Sequence, residues 1–328
     1  MKKQNKVLNF LMNNGVIILM IVLVIITGYT KPNFWKLNNW TNIIGTMSYR
    51  LVIALGIAGC IITAGCDLSA GRMIGLGACV AGVFLQNPTG KMFPNLPNLP
   101  VPVAALVAIL ICGCFGCITG FFIAYLHVPP FISTMAMMEI VYGINSIFTT
   151  SKNVNNYVDA YLDLNRKFPI PGLKVNYLIW VALIVAALTW FIFNMTRHGK
   201  YMYAIGGNPQ AAEVAGVPVK QTLVLIYMKA AMYYGLAGFM IGARAGGVSV
   251  NTGLSYEMEA IAACTIGGVS VSGGRGRVSS AFIGVAVFEI LKTALQFLGV
   301  SAYAQYIALG VIIYIAISLD IRKYVAKK

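Results

Sequence analysis

Apolar runs recur along the whole chain, and most approach the about 20 residues that a helix needs to cross a bilayer core of about 30 Å. In hydrocarbon every backbone polar group must be satisfied within the structure, and a helix does this alone. A β-barrel would need alternating segments of about ten residues, and the sequence carries none. Composition agrees: 59% of the 328 residues are hydrophobic and 10% are charged, against about 25% charged in soluble domains. The fold class is therefore all-α, a polytopic helical membrane protein read as one transmembrane domain over residues 1–328.

Ten candidate spans follow: 15–29, 49–64, 73–86, 101–126, 131–149, 177–195, 222–243, 260–271, 278–298 and 302–319. The second, third and eighth are short, so they tilt, begin earlier or are broken. No small-x-small cleavage site follows the apolar run at 15–27, which favours a retained first span over a cleaved signal peptide. The net charge of +15 is spread over loops and ends without an aromatic–basic stripe, so it points to membrane topology and not to a nucleic-acid partner. Lys2, Lys3, Lys6, Arg72, Arg197, Lys200, Lys220, Arg275, Arg277 and the C-terminal cations give the N-terminal side the excess. That predicts both termini in the cytoplasm. Two polar loops, 87–100 and 151–176, then face outward; proline and asparagine exclude a helix from the first.

All seven cysteines lie in apolar stretches, and CGCFGC (112–117) has no histidine or carboxylate nearby, so they read as packing residues and not as metal ligands. GCDLSAGR (65–72) echoes GVSVSGGR (268–275). Internal repeats mark many transporters, and small residues with hydroxyls suit helices broken inside the membrane. Close helix packing through small residues explains the same pattern.

The stretch AIGGNPQAAEVAGVPVK (204–220) is a polar island between two apolar spans. Gly206 and Gly207 give a flexible entry, Asn208 is an N-cap, Pro209 fits the first helical position, and Gly216 and Pro218 end the helix. Such a helix is marginal alone in water. Ala211, Val214 and Ala215 share one small apolar face, with Glu213 beside it, which suits docking to a soluble partner or packing on the chain's own spans.

No GxxxxGK[ST] phosphate loop occurs, and 270–277 (SVSGGRGR) lacks its lysine and spacing. No zinc motif or catalytic triad is visible; His127 and His198 are isolated, and His127 reads as a cap or surface residue at a helix break. Glu139, Lys229, Glu289 and Lys292 fall inside spans, where each charge costs a few kcal/mol unless paired or hydrated. Glu289 and Lys292 are spaced to pair. Asp67, Ser69, Glu139, Asn145, Ser270 and Ser272 are the candidate pathway groups, with packing roles as the alternative for each.

The island resembles the cytoplasmic coupling loop of bacterial ABC sugar permeases of the ribose and galactoside import type. ITAGCDLSAGR (62–72), HVPPFISTMAMMEIVYGINS (127–146), SYEMEAIAACTIGGVSVSGGRG (255–276) and GVSAYAQYIALGVIIYIA (299–316) are similar to the same family, most of all to its galactose/methyl-galactoside branch. The resemblance implies a bacterial inner-membrane permease that pairs with a second copy of itself. It implies a cytoplasmic ATPase with two nucleotide sites that holds ATP and Mg, so that this chain needs no cofactor, and an external sugar-binding protein. It also implies that Gly206, Gly207, Asn208, Pro209, Ala212, Glu213 and Gly216 form the ATPase-facing loop. Ribose, another sugar or a nucleoside on the same scaffold is the alternative cargo, and an ion-coupled secondary transporter using Glu139, Asp67 or Glu289 the alternative mechanism.

Overall fold

The computed structural model describes residues 6–170 and 173–325. Thirteen α-helices run in chain order: α1 (Lys6–Thr30), α2 (Leu37–Ile62), α3 (Ala70–Phe84), α4 (Val101–Tyr125), α5 (Pro130–Thr149), the single turn α6 (Asp159–Leu162), α7 (Tyr177–Met195), α8 (Arg197–Gly207), α9 (Pro209–Val214), α10 (Val219–Ala245), α11 (Tyr256–Gly267), α12 (Val278–Phe297) and α13 (Ala302–Val325). Among the described residues six of these, α2, α4, α5, α7, α10 and α12, are long and apolar enough to cross a membrane. Each of the ten expected spans coincides with a helix, with α1, α3, α11 and α13 completing the set.

The three short spans have separate explanations. The second begins earlier, at Leu37, because the polar LNNWTN stretch is already helical. That places Arg50 near the middle of a spanning helix and not at its first turn. The third and eighth are half-length helices, α3 and α11, each following a long helix and a non-helical break. The α2–α3 break covers 63–69 and the α10–α11 break covers 246–255. Ala64 (φ 58°) and Ser255 (φ 65°) stand in the left-handed region at these breaks, a conformation that side chains other than glycine rarely adopt.

The two long–break–short units interlock. α10 packs along α2, α3 and α4, and α11 packs on α2. Glycines permit the close crossing of α3 and α10: a Cβ on Gly77 would lie 2.7 Å from the Gly235 Cα. α2 and α10 run antiparallel, since Gly59 meets Ile226 while Arg244 donates to the Asn42 carbonyl and the Thr46 hydroxyl. α11 runs parallel to α2, with Tyr256 stacked on Tyr49 and the Cys264 thiol donating to the Ala54 carbonyl. The structural counterpart of the 63–69 break is thus 246–255, in a unit of opposite direction. It is not GVSVSGGR, which forms the turn between α11 and α12.

One end of the bundle carries α8, α9 and the α11–α12 turn. The other is closed by loops. β1 (Val154–Asn155) pairs antiparallel with β4 (Gly247–Val248), and β2 (Lys167–Ile170) with β3 (Leu173–Asn176). Gln86 donates to the Asn155 carbonyl and accepts from the Met92 amide, while the Asn87 amide donates to the Asn156 carbonyl. Both polar loops are therefore knit into one cap, and 87–100 holds only the 3₁₀ turn Pro88–Gly90. The buried Tyr161 hydroxyl anchors this cap by donating to the Phe239 carbonyl of α10.

Candidate functional site

α9 forms as its residues require. The Asn208 side chain accepts from the Ala211 amide at 3.0 Å, Pro209 occupies the first turn, and Gly216 (φ 83°) takes the left-handed terminating position. The Val217 amide closes the end by donating to the Ala212 carbonyl at 3.0 Å. Ala212 alone in this helix is buried. Ala211, Glu213, Val214 and Ala215 are exposed, Val214 at 91% of its surface, and Glu213 makes no ion pair among the described residues. A small apolar face thus stands free on a six-residue helix.

Gly206 and Gly207 differ from the expected flexible entry: they are the last residues of α8. Gly206 is buried at a backbone crossing, where a Cβ would overlap the Ile62 carbonyl oxygen and sit 2.6 Å from the Gly274 amide. That amide donates to the Ile62 carbonyl at 2.8 Å, and the Tyr203 hydroxyl donates to the Gly276 carbonyl at 2.8 Å. The end of α2, the end of α8 and the α11–α12 turn are thereby stapled directly behind α9. The Thr196 hydroxyl caps α8 by accepting from the Gly199 amide. His198 on this helix stays neutral at ordinary pH, because burial and then the nearby Lys229 ammonium push its imidazole down to about 4.

The second feature is the meeting of the two breaks in the bundle's interior. Asp67 is buried, and its carboxylate accepts from the Ser69 amide at 3.0 Å and the Ser69 hydroxyl at 2.6 Å. These bonds hold the chain reversal into α3. Gly71 is pressed against the Gly253 carbonyl and the Glu257 carboxylate, and Gly75 against the Thr252 and Val250 carbonyls. Arg72, expected on the N-terminal face, instead reaches across the breaks. It donates to the Asn251 side chain at 3.1 Å, and its guanidinium lies 4.1 Å from the centre of the Tyr142 ring of α5.

The six candidate pathway residues divide accordingly. Asp67 and Ser69 lie at the first break. Asn145 is buried on α5 beside Gly75, where its side chain meets the Cys79 thiol and, among the described residues, no other polar side chain. Glu139 is on α5 as well, exposed between exposed Met135 and Ile140. Ser270 and Ser272 belong to the α11–α12 turn behind α9, which touches only the start of the first break, where Gly273 packs against Ala64. Sequence reasoning missed Arg72, Tyr142, Asn251 and Glu257. The polar run SVNTG (249–253) between two apolar stretches was the available signal for the second break.

A third cluster ties α2, α11 and α12 together. Arg50 pairs with Glu259 and, at 2.9 Å, with Glu289; Lys292 pairs with Glu259 at 2.8 Å. The expected Glu289–Lys292 pair on one helix is thus replaced by pairs between helices. Two cations balance two anions, and the Arg50 guanidinium also lies 5.1 Å from the Tyr256 ring centre.

A family described as branched-chain amino acid transport system / permease component matches residues 39–317. The chain belongs to this permease family. The permease is 41% identical over 327 residues to the galactose/methyl galactoside import permease of Escherichia coli, across 98% of this chain and 97% of that one. It is 36% identical to the protein of the same name from Treponema pallidum, across 97% of this chain and 64% of that one. It is 32% identical over 315 residues to the ribose import permease of Escherichia coli, across 96% and 95%. No solved structure matches.

Proposed function

We propose that this permease is the membrane-spanning subunit of an ATP-driven importer in the bacterial inner membrane, with galactose or a methyl galactoside as its cargo. The observation that carries the mechanism is the free apolar face of α9 mounted on an inflexible crossing at Gly206. A cytoplasmic ATPase with two nucleotide sites takes that face. It contacts Gly207, Asn208, Pro209, Ala211, Glu213, Val214, Ala215 and Gly216, while buried Gly206 and Ala212 seat the loop on the bundle. The ATPase binds ATP and Mg, and this chain needs neither. Closure of the ATPase pushes α9. Since α8, the end of α2 and the α11–α12 turn are stapled together, the push reaches α2 and α12 as a rigid displacement. Both chain termini share the cytoplasmic face with α9.

The cargo reading rests on the full-length similarity to galactose and methyl galactoside permeases. An external sugar-binding protein delivers the sugar to the knit loops at the opposite end. A second copy of the chain completes the pathway. Glu139 supports this, because an exposed carboxylate midway along a spanning helix is costly against lipid and favourable against a water-filled path between two copies. Reconstitution of the permease in vesicles tests the reading. Galactose uptake is expected only with the ATPase, the binding protein and ATP together. Uptake by the permease alone, driven by a proton or sodium gradient, contradicts it.

A further inference from the structure

We infer that Arg72, Tyr142 and Asn251 form a cargo-contacting site for a neutral monosaccharide where the two helix breaks meet. This rests on the import reading above. Three separate segments converge here: the first turn of α3, the middle of α5 and the 246–255 break. Arg72 and Tyr142 are half-buried and Asn251 is exposed, so the cluster forms a surface and not a sealed core.

The chemistry fits a polyol. Arg72 uses Nη1 for its bonds to the Asn251 side chain and the Val250 carbonyl, and among the described residues its Nε and Nη2 donors make no hydrogen bond. No carboxylate lies within ion-pair distance of it among those residues. The guanidinium lies over the Tyr142 ring, 4.1 Å from its centre, and keeps donors free for a ligand. Asn251 adds an amide that can donate and accept. Buried Asp67 and Glu257 sit behind the cluster, so the local field is not that of an anion site. Independently, Asn145 is 1% exposed, its side chain hydrogen-bonds with the Cys79 thiol and finds no oxygen or nitrogen partner among the described residues, and its Nδ2 would lie 3.7 Å from a Cβ at Gly75, the glycine that packs on the Val250 and Thr252 carbonyls. One weak bond to sulfur leaves most of the amide's donor and acceptor capacity for a hydroxylated ligand or its water.

The test uses the complete transporter, with ATPase and binding protein, in vesicles supplied with ATP and galactose. Sugar moved per ATP hydrolysed is measured for wild type, Arg72→Lys and Asn251→Ala. Arg72→Lys keeps the charge and loses the planar fork; Asn251→Ala alters an exposed loop residue and so remains informative should the first variant fail to fold. Each is expected to lower sugar moved per ATP about tenfold, the effect of losing one charge-assisted hydrogen bond. Values equal to wild type for Asn251→Ala and for a folded Arg72→Lys overturn the site while leaving the import reading standing. A wild-type transporter that moves no galactose under ATP overturns that reading, and the site falls with it.

Discussion

Gly206→Ala is expected to uncouple the transporter. The added methyl must enter the space held by the Ile62 carbonyl and lie 2.6 Å from the Gly274 amide. Both obstacles are backbone and belong to different elements, so no side-chain rotation relieves them. Either α8 lifts away from the end of α2 or the Gly274–Ile62 hydrogen bond breaks. Overpacking of this kind costs about 1–3 kcal/mol, with about 1 kcal/mol more for the lost bond. The expected result is a lower melting temperature and loss of ATP-driven uptake. Gly207→Ala is the matched control: a Cβ there meets nothing within 4 Å, and the melting temperature should stay that of wild type. Equal melting temperatures for the two variants would show that the crossing does not hold α9 in place.

Arg50→Met should have a larger effect on assembly. Arg50 is the only cation paired with Glu289 and shares Glu259 with Lys292 among the described residues. Its removal leaves a surplus carboxylate charge buried between α2, α11 and α12. Breaking one side of a buried ion pair costs about 3–5 kcal/mol, because the remaining charge cannot return to water. The permease should fail to accumulate in the membrane or should melt far below wild type. Glu289→Gln added to Arg50→Met removes the stranded charge and should recover much of the loss. The double variant behaving no better than the single one would place the effect in the packing of the arginine side chain. The cluster has a mechanical consequence as well: α11, only twelve residues long, is held to two full-length helices by charge pairs, so it moves with them.

Local grammar made much of this structure readable beforehand. The spans announced themselves by length and apolarity. α9 followed from Asn208, Pro209 and Gly216, whose effects act within one turn. What could not be read depends on contacts across space. Two adjacent glycines signal backbone freedom in sequence, yet Gly206 is there because two other backbones pass against it. The echo between 65–72 and 268–275 reflected a shared need for small residues in tight turns, whereas the true counterpart, 246–255, shares a position in the fold and little sequence. The depth of Arg50 was hidden because LNNWTN is too polar to look like the start of a span, and Glu289 pairs with Arg50 of a neighbouring helix, which spacing along one helix does not reveal.

The account stands on α9 as the element a nucleotide-driven partner grips. Photo-crosslinking from Ala211 and from Glu213 in the assembled transporter measures that contact directly. The prediction is a covalent adduct with the ATPase from both positions, with a yield that changes when ATP is added. Adducts formed only with lipid or with the permease's own helices would contradict it.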